Sequence, residues 1–320
     1  MSWFLFALVA TLGWGCADLF YKKGTDESDG QSHLKIAVWV GLVMGVCAFC
    51  LMPFSETGLT LQSLPELFVK YSPASLCYII SMVIGYAGLR YLELSVVSPL
   101  QNASGALSAI AMVIFFTAQG KSLAGEFSAL DIIGTVVIVA GVIALSFVEQ
   151  SLAKSEEALP KEERKYRFGA LALIFPLLYC LFDTAGTAAD GILLDGEAGL
   201  GLGEIDVIIV YGLTFLIAGI LCWLYMLIRD KKVYNPFAKG ERTKGVAACC
   251  EEFGQVFYVY AMAANPVLAA PMIASYCIVS VLLSRVILKE KLKVSQYACV
   301  IAVIVGIVIL GISEGLGEIE

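Results

Sequence analysis

Gly13-Trp14-Gly15-Cys16-Ala17-Asp18-Leu19-Phe20-Tyr21-Lys22-Lys23 closes an apolar run at the start of the chain. It places a carboxylate inside what reads as hydrocarbon, one helical turn after a tryptophan. On a helix Trp14 and Asp18 are i,i+4 neighbours on the face that also carries Thr11. That face offers an aromatic wall beside a negative charge, which suits a cation. Tyr179 and Asp183 repeat the arrangement half a chain later, again inside an apolar run.

The surrounding chain supports a membrane setting. Of 320 residues 59% are hydrophobic and only 15% charged, and the mean hydropathy is +0.84, outside the range of soluble globular domains. A bilayer core about 30 Å thick takes about 20 helical residues to cross. Ten such segments are expected, at roughly 2–21, 34–54, 72–91, 95–117, 128–148, 168–189, 206–228, 244–264, 266–288 and 293–313. The links between them are too short for a soluble domain. The first segment reads as a retained span and not as a signal peptide, because no basic region precedes it while an acid and two lysines follow.

Basic residues set the expected orientation, since cytoplasmic loops hold an excess of Lys and Arg. All of them except Lys70 and Lys121 fall in the odd-numbered links or at their flanks. Both termini are therefore expected outside, in a multi-pass protein of the plasma membrane. The sixth link, with Asp195, Glu197, Glu204 and Asp206 and no base, agrees.

The cysteines do not form a metal or disulfide frame. Cys47 and Cys50 lack a second pair at zinc-site spacing, Cys249 and Cys250 are vicinal, and the rest are scattered through apolar spans. They read as small buried hydrophobes. His33, the only histidine, is expected in a solvated loop before the second span. No cofactor and no metal are expected.

Shifting the sequence by 165 positions lays Trp14 on Tyr179, Asp18 on Asp183 and Gly141 on Gly306. In the middle spans a shift of 172 pairs Trp39 with Tyr211, Tyr86 with Tyr258 and Pro99 with Pro271. The chain thus reads as two copies of one five-helix unit, 1–148 and 168–320, joined by a charged cytoplasmic linker at 149–167 that contains Pro160. Five is odd, so the second copy enters the membrane from the opposite side. The expected fold is all-α and polytopic, ten transmembrane helices as two inverted repeats. In alternating-access carriers of that design the site lies at the midplane between the copies.

Asn265-Pro266-Val267-Leu268-Ala269-Ala270-Pro271, then Arg285 to Gln296 with its Lys289-Glu290-Lys291-Leu292 turn, then Gly306, resembles the second repeat of EamA-type transporters of the drug/metabolite transporter superfamily. The first half matches through Pro99 and Gly141, with Gly125-Glu126 as a displaced version of the turn. The resemblance implies ten helices, a central cavity lined by the first four helices of each copy, and transport of a small molecule. It leaves the substrate open, because one fold hosts many functions.

A carboxylate at the centre of a transmembrane helix costs about 2.5 to 3.5 kcal/mol on insertion scales, and such groups usually face a cavity. Asp183 lies deep in its span with no base three or four positions away. Asp18 has Lys22 at i+4, a candidate partner. In the eighth span Glu251, Gln255, Tyr258 and Met262 share one stripe, which favours Glu251 over Glu252 as the cavity residue; a pair solvated near Lys244 is the alternative. Trp14, Trp39, Tyr86, Tyr179, Tyr211 and Tyr258 form three repeat-related aromatic pairs. Aromatic faces attract desolvated cations by about 0.5 to 2 kcal/mol each. Gln101, Asn102 and Ser104 after Pro99, with Ser275 and Tyr276 after Pro271, add hydrogen-bonding groups or repair the backbone that the prolines disturb.

Carboxylates in apolar surroundings favour their protonated form, so a proton and an organic cation can compete for one acid. The sequence therefore points to a proton-coupled carrier of small organic cations or amines, choline-like, guanidinium-like or polyamine. Asp183 and Glu251 are the expected proton-coupling groups, and the chain is not read as an enzyme. Its expected partners are the substrate, protons and the lipid bilayer, with a homodimer as an option and no nucleic acid. A carrier of neutral or zwitterionic metabolites such as amino acids, and a non-transporting scaffold, stay open.

Overall fold

In hydrocarbon no water satisfies backbone N–H and C=O groups, so a spanning segment must pair them internally. The structure, a computed structural model, describes residues 2–26, 28–60, 62–92, 94–121, 127–156, 173–196 and 199–317. Among these there are helices and links and no strand.

The first half holds α1 (Trp3–Gly24), α2 (Ser32–Leu51), α3 (Leu64–Gly88), α4 (Leu94–Asn102), α5 (Ser104–Ala118) and α6 (Ala129–Glu156). The second holds α7 (Ile174–Leu194), α8 (Glu204–Asp230), α9 (Arg242–Ala264), α10 (Pro266–Ala274), α11 (Tyr276–Leu283) and α12 (Val294–Gly317), with a π-turn at Ser284–Leu288. Nine crossings among the described residues are long and apolar enough to span a membrane, counting α4 with α5 and α10 with α11 as one each. The tenth helix of that length, α9, falls short because Lys244, Glu251, Glu252 and Gln255 make it less apolar. The chain is an all-α polytopic membrane protein.

Several boundaries differ from those expected. The third helix starts at Leu64 instead of near 72; Pro65 occupies its first turn and Lys70 bridges Glu66 at 2.8 Å, so an exposed polar turn extends beyond the apolar stretch. α7 runs on to Leu194 where an end at 189 was expected. The expected linker begins as helix, since α6 continues to Glu156; residues 157–167 with Pro160, and the Gly125-Glu126 turn, lie outside the described residues. His33 is not a solvated loop residue but a half-buried member of the first turn of α2. All ten cysteines are free thiols.

The fourth and ninth crossings each break four residues after a proline, at Ala103 after Pro99 and at Ser275 after Pro271. Lys289 ends the ninth with φ 60°, a left-handed conformation that favours glycine. Glu290 beside it accepts the Leu94 N–H at 3.2 Å, tying this turn to the start of α4.

Helix pairing joins the halves throughout. α1 packs on α9 and α3 on α7, α2 packs on α8, α6 on α12, and α4 and α5 lie along α11 and α10. Exchanging the halves turns each pairing into another of the set. Where α2 crosses α8, a methyl group on Gly41 would overlap the Phe215 carbonyl and one on Gly212 the Met44 carbonyl, so the backbones touch only because both are glycine. The span Pro266–Leu288 is 83% buried and Ala129–Val148 only 28%, which puts the ninth crossing at the centre and α6 at the rim.

One face of the molecule is tied by Asp206 in the first turn of α8. Its carboxylate accepts the Ser55 hydroxyl at 2.6 Å and both the N–H and hydroxyl of Thr57, at 3.1 and 2.6 Å. A helix N-terminus also favours a negative charge. Hydrogen bonds to a charged group are worth about 1.5 to 3 kcal/mol. Asp206→Ala is therefore expected to lower the unfolding midpoint in detergent by about 5 °C, with an unchanged melt showing that the α2–α3 link is held by other contacts.

Candidate functional site

Small residues on α1 bring the site together. Gly13 lies against Gly254 of α9, where an added Cβ would come within 3.0 Å of the Gly254 Cα, and Gly15 lies against Val279 of α11. Trp14, between them, is held against α9 and faces inward. Its indole covers Gly254, and its Nε1 donates to the Glu251 backbone carbonyl at 3.2 Å. Around it stand Tyr258 at 5.0 Å, Tyr276 at 5.7 Å edge-on and Tyr78 at 6.2 Å. Offset and edge-to-face pairs of this kind stabilise by about 0.5 to 1.5 kcal/mol beyond burial.

Two adjoining cavities share Trp14, Tyr78, Tyr179 and Tyr276 as walls. The first is bounded by Asp18 and Glu251 with Tyr21, Tyr86 and Gln101; the second by Asp183 with Asn102, Ser104, Thr187 and Tyr258. None of the lining residues is basic. The clear space in each is that of roughly one water molecule. Anything larger enters only as the aromatic side chains shift.

The three acids are held by hydroxyl donors. Glu251 Oε1 accepts from Tyr78 at 2.9 Å. Asp18 Oδ2 accepts from Ser98 at 2.6 Å and Ser280 at 2.7 Å, and Asp183 Oδ2 from Ser104 at 2.6 Å. Lys22 gives its ammonium to the Leu89 and Leu92 carbonyls at 2.7 and 2.9 Å, while Lys244 bridges Glu241 at 2.7 Å. The buried Glu251 is thus placed in the aromatic cavity and not in a pair solvated near Lys244. Asn102 serves both roles considered for it: it lines the second cavity and donates to the Ser98 carbonyl at 2.8 Å.

Other expected residues stand apart from this cage. Trp39 packs edge-on against Phe237 at 5.5 Å and covers Gly245. Tyr211 touches Tyr78 from outside the two cavities, at 5.6 Å edge-on. Gln255 and Glu252 are buried one turn apart on α9, and neither the Gln255 amide nor the Glu252 carboxylate completes a hydrogen bond; the Cys47 thiol faces Glu252.

Sequence reasoning missed Tyr78, Ser98 and Ser280, and it missed Asp190. Tyr71 and Tyr78 are seven residues apart on one stripe of α3, the signal that was there to find. Asp190 is fully buried, accepts the Tyr71 hydroxyl, and has the Tyr211 and Tyr258 hydroxyls against it.

Residues 198–312 match the EamA-like transporter family. No curated protein matches the chain. A solved structure titled only "Crystal structure of protein" aligns over 95% of this chain and 95% of its own, with a TM-score of 0.58 and 13% identity. At that identity the likeness is one of fold.

Proposed function

We propose, from the EamA-like transporter match over residues 198–312, that this chain is a secondary carrier of small organic cations or amines that exchanges them for protons. Three carboxylates and no base in the walls of adjoining aromatic cavities carry this reading. A cation would gain from both the acids and the π-faces of Trp14, Tyr78 and Tyr276. A zwitterion would bring a carboxylate to a surface without a basic partner. The halves act as inverted repeats, 1–148 and 168–320, that rock about the α2–α8 crossing. By the distribution of Lys and Arg, both termini lie outside the plasma membrane.

In the exchange, Glu251 and Asp183 release their protons as the cation settles between them, and take up protons on the opposite side as it leaves. Proteoliposomes with a pH dye inside test this directly. Choline, guanidinium or a polyamine added outside is expected to raise internal pH as protons leave. Flux confined to amino acids or neutral metabolites, or no flux with any of these, overturns the reading.

A further inference from the structure

Asp190 lies on α7 seven residues beyond Asp183, about 10 Å further along the helix axis. Toward that end of α7 lies a vestibule walled by Phe116, Met262 and Pro266, with the Lys121–Asp195 ion pair (2.8 Å) at its rim. Gly191 packs behind two of the vestibule's wall residues: a methyl group there would overlap Met112 and approach Pro266 to 2.9 Å and Met262 to 3.3 Å. On the other side, Tyr258 lines the cavity that holds Asp183. Asp190 lines neither space, but it is adjacent in sequence to Gly191, which packs on the vestibule wall, and is in contact with Tyr258, which lines the central cavity.

Four helices meet at this carboxylate. Tyr71 of α3 donates to its Oδ1, and Tyr211 of α8 and Tyr258 of α9 turn their hydroxyls toward it. Oδ2 is buried, and apart from these tyrosine hydroxyls no donor among the described residues approaches it. A buried carboxylate with no base beside it and only phenol donors is costly to keep charged. The opposite closure differs: the Tyr21 and Tyr86 rings meet tilted at 51° with centres 4.7 Å apart and their hydroxyls 3.4 Å apart. Tyr86 and Tyr258 are related by the repeat, so one partner is a phenol at the first closure and an acid at the second.

We propose that Asp190 is a further cation-binding carboxylate outside the central cavity, a station on the way in from the vestibule where the cation displaces tyrosine hydroxyls before it reaches Asp183. This rests on the cation-carrier reading above. A passing cation would exchange the Tyr71, Tyr211 and Tyr258 donors for its own charge, which separates the three helices from α7 and opens the way inward.

Thr187 lines the central cavity one turn inward of Asp190, so a cysteine there reports passage. Thr187→Cys protein in right-side-out vesicles is treated with a trimethylammonium methanethiosulfonate and, separately, with its sulfonate analogue. Labelling of the peptide bearing residue 187 is read by mass spectrometry, which separates it from the native cysteines. Adding Asp190→Asn is expected to lower the cationic rate about tenfold relative to the anionic one, and Asp190→Glu to preserve it. Tyr71→Phe, which frees the acid, is expected to raise the cationic rate several-fold and guards against a folding defect in the Asn variant. Equal rises with both reagents in Tyr71→Phe, an unchanged ratio in Asp190→Asn, or no labelling of the Thr187→Cys protein by the cationic reagent would each overturn the proposal. Choline binding by detergent-solubilised parent and Glu251→Gln protein tests the central cavity separately, so the two ideas can fail independently.

Discussion

Glu251→Gln is expected to lower proton-coupled cation flux by at least about 100-fold in proteoliposomes while leaving a folded protein. Glutamine keeps the side-chain volume and can still accept from Tyr78, and the Trp14 indole bonds the backbone carbonyl, which the substitution does not alter. What disappears is a charge in surroundings where water screens it poorly. Removing one member of a desolvated, hydrogen-bonded charge pair costs about 2 to 5 kcal/mol, and about 2.7 kcal/mol is the hundredfold. Asp183→Asn is expected to match that loss, because Asp183 accepts a hydroxyl from Ser104 as Glu251 accepts one from Tyr78. Tyr78→Phe is expected to cost about tenfold by removing the donor that aims Glu251 into the cavity. Normal exchange in Glu251→Gln together with loss in Asp183→Asn would transfer the coupling role to Asp183.

That ranking was only partly legible in the sequence. The ten crossings could be placed because hydrocarbon demands long apolar helices, and Asp18, Asp183 and Glu251 stood out because each is an acid that violates that demand. Asp190 did not, since an acid followed by Gly191 looks like the end of a helix; the structure continues α7 past it and buries it under tyrosines. Repeat symmetry misled in the other direction. It paired Trp39 with Tyr211, yet Trp39 packs against Phe237 while Tyr211 packs against Tyr71 and Tyr78. A register shift aligns segments along their axes but does not fix rotation about them. Tyr78 was hidden for a related reason: at a shift of 172 its counterpart is Cys250, so a search for repeated aromatics passes over it.

The aromatic wall depends on one glycine, and Gly254→Ala is expected to remove substrate binding nearly as completely as loss of the acid. A methyl group at 254 would overlap the Trp14 ring, and Gly13 presses on the same stretch of α9. The indole cannot retreat, because Tyr258, Tyr276 and Tyr78 surround it at 5.0, 5.7 and 6.2 Å. The ring must leave the cavity or α1 must separate from α9, and either breaks the bond to the Glu251 carbonyl. Overpacking of this kind costs about 1 to 3 kcal/mol of stability, so a lowered melting midpoint accompanies the loss. A double-mutant cycle separates the two effects. Adding Trp14→Leu to Gly254→Ala relieves the overlap and is expected to recover much of the midpoint, whereas choline binding stays lost because the π-face is gone. Binding that returns with the midpoint would mean that the cavity needs only the space Trp14 vacates, and that the cation is held by the carboxylates alone.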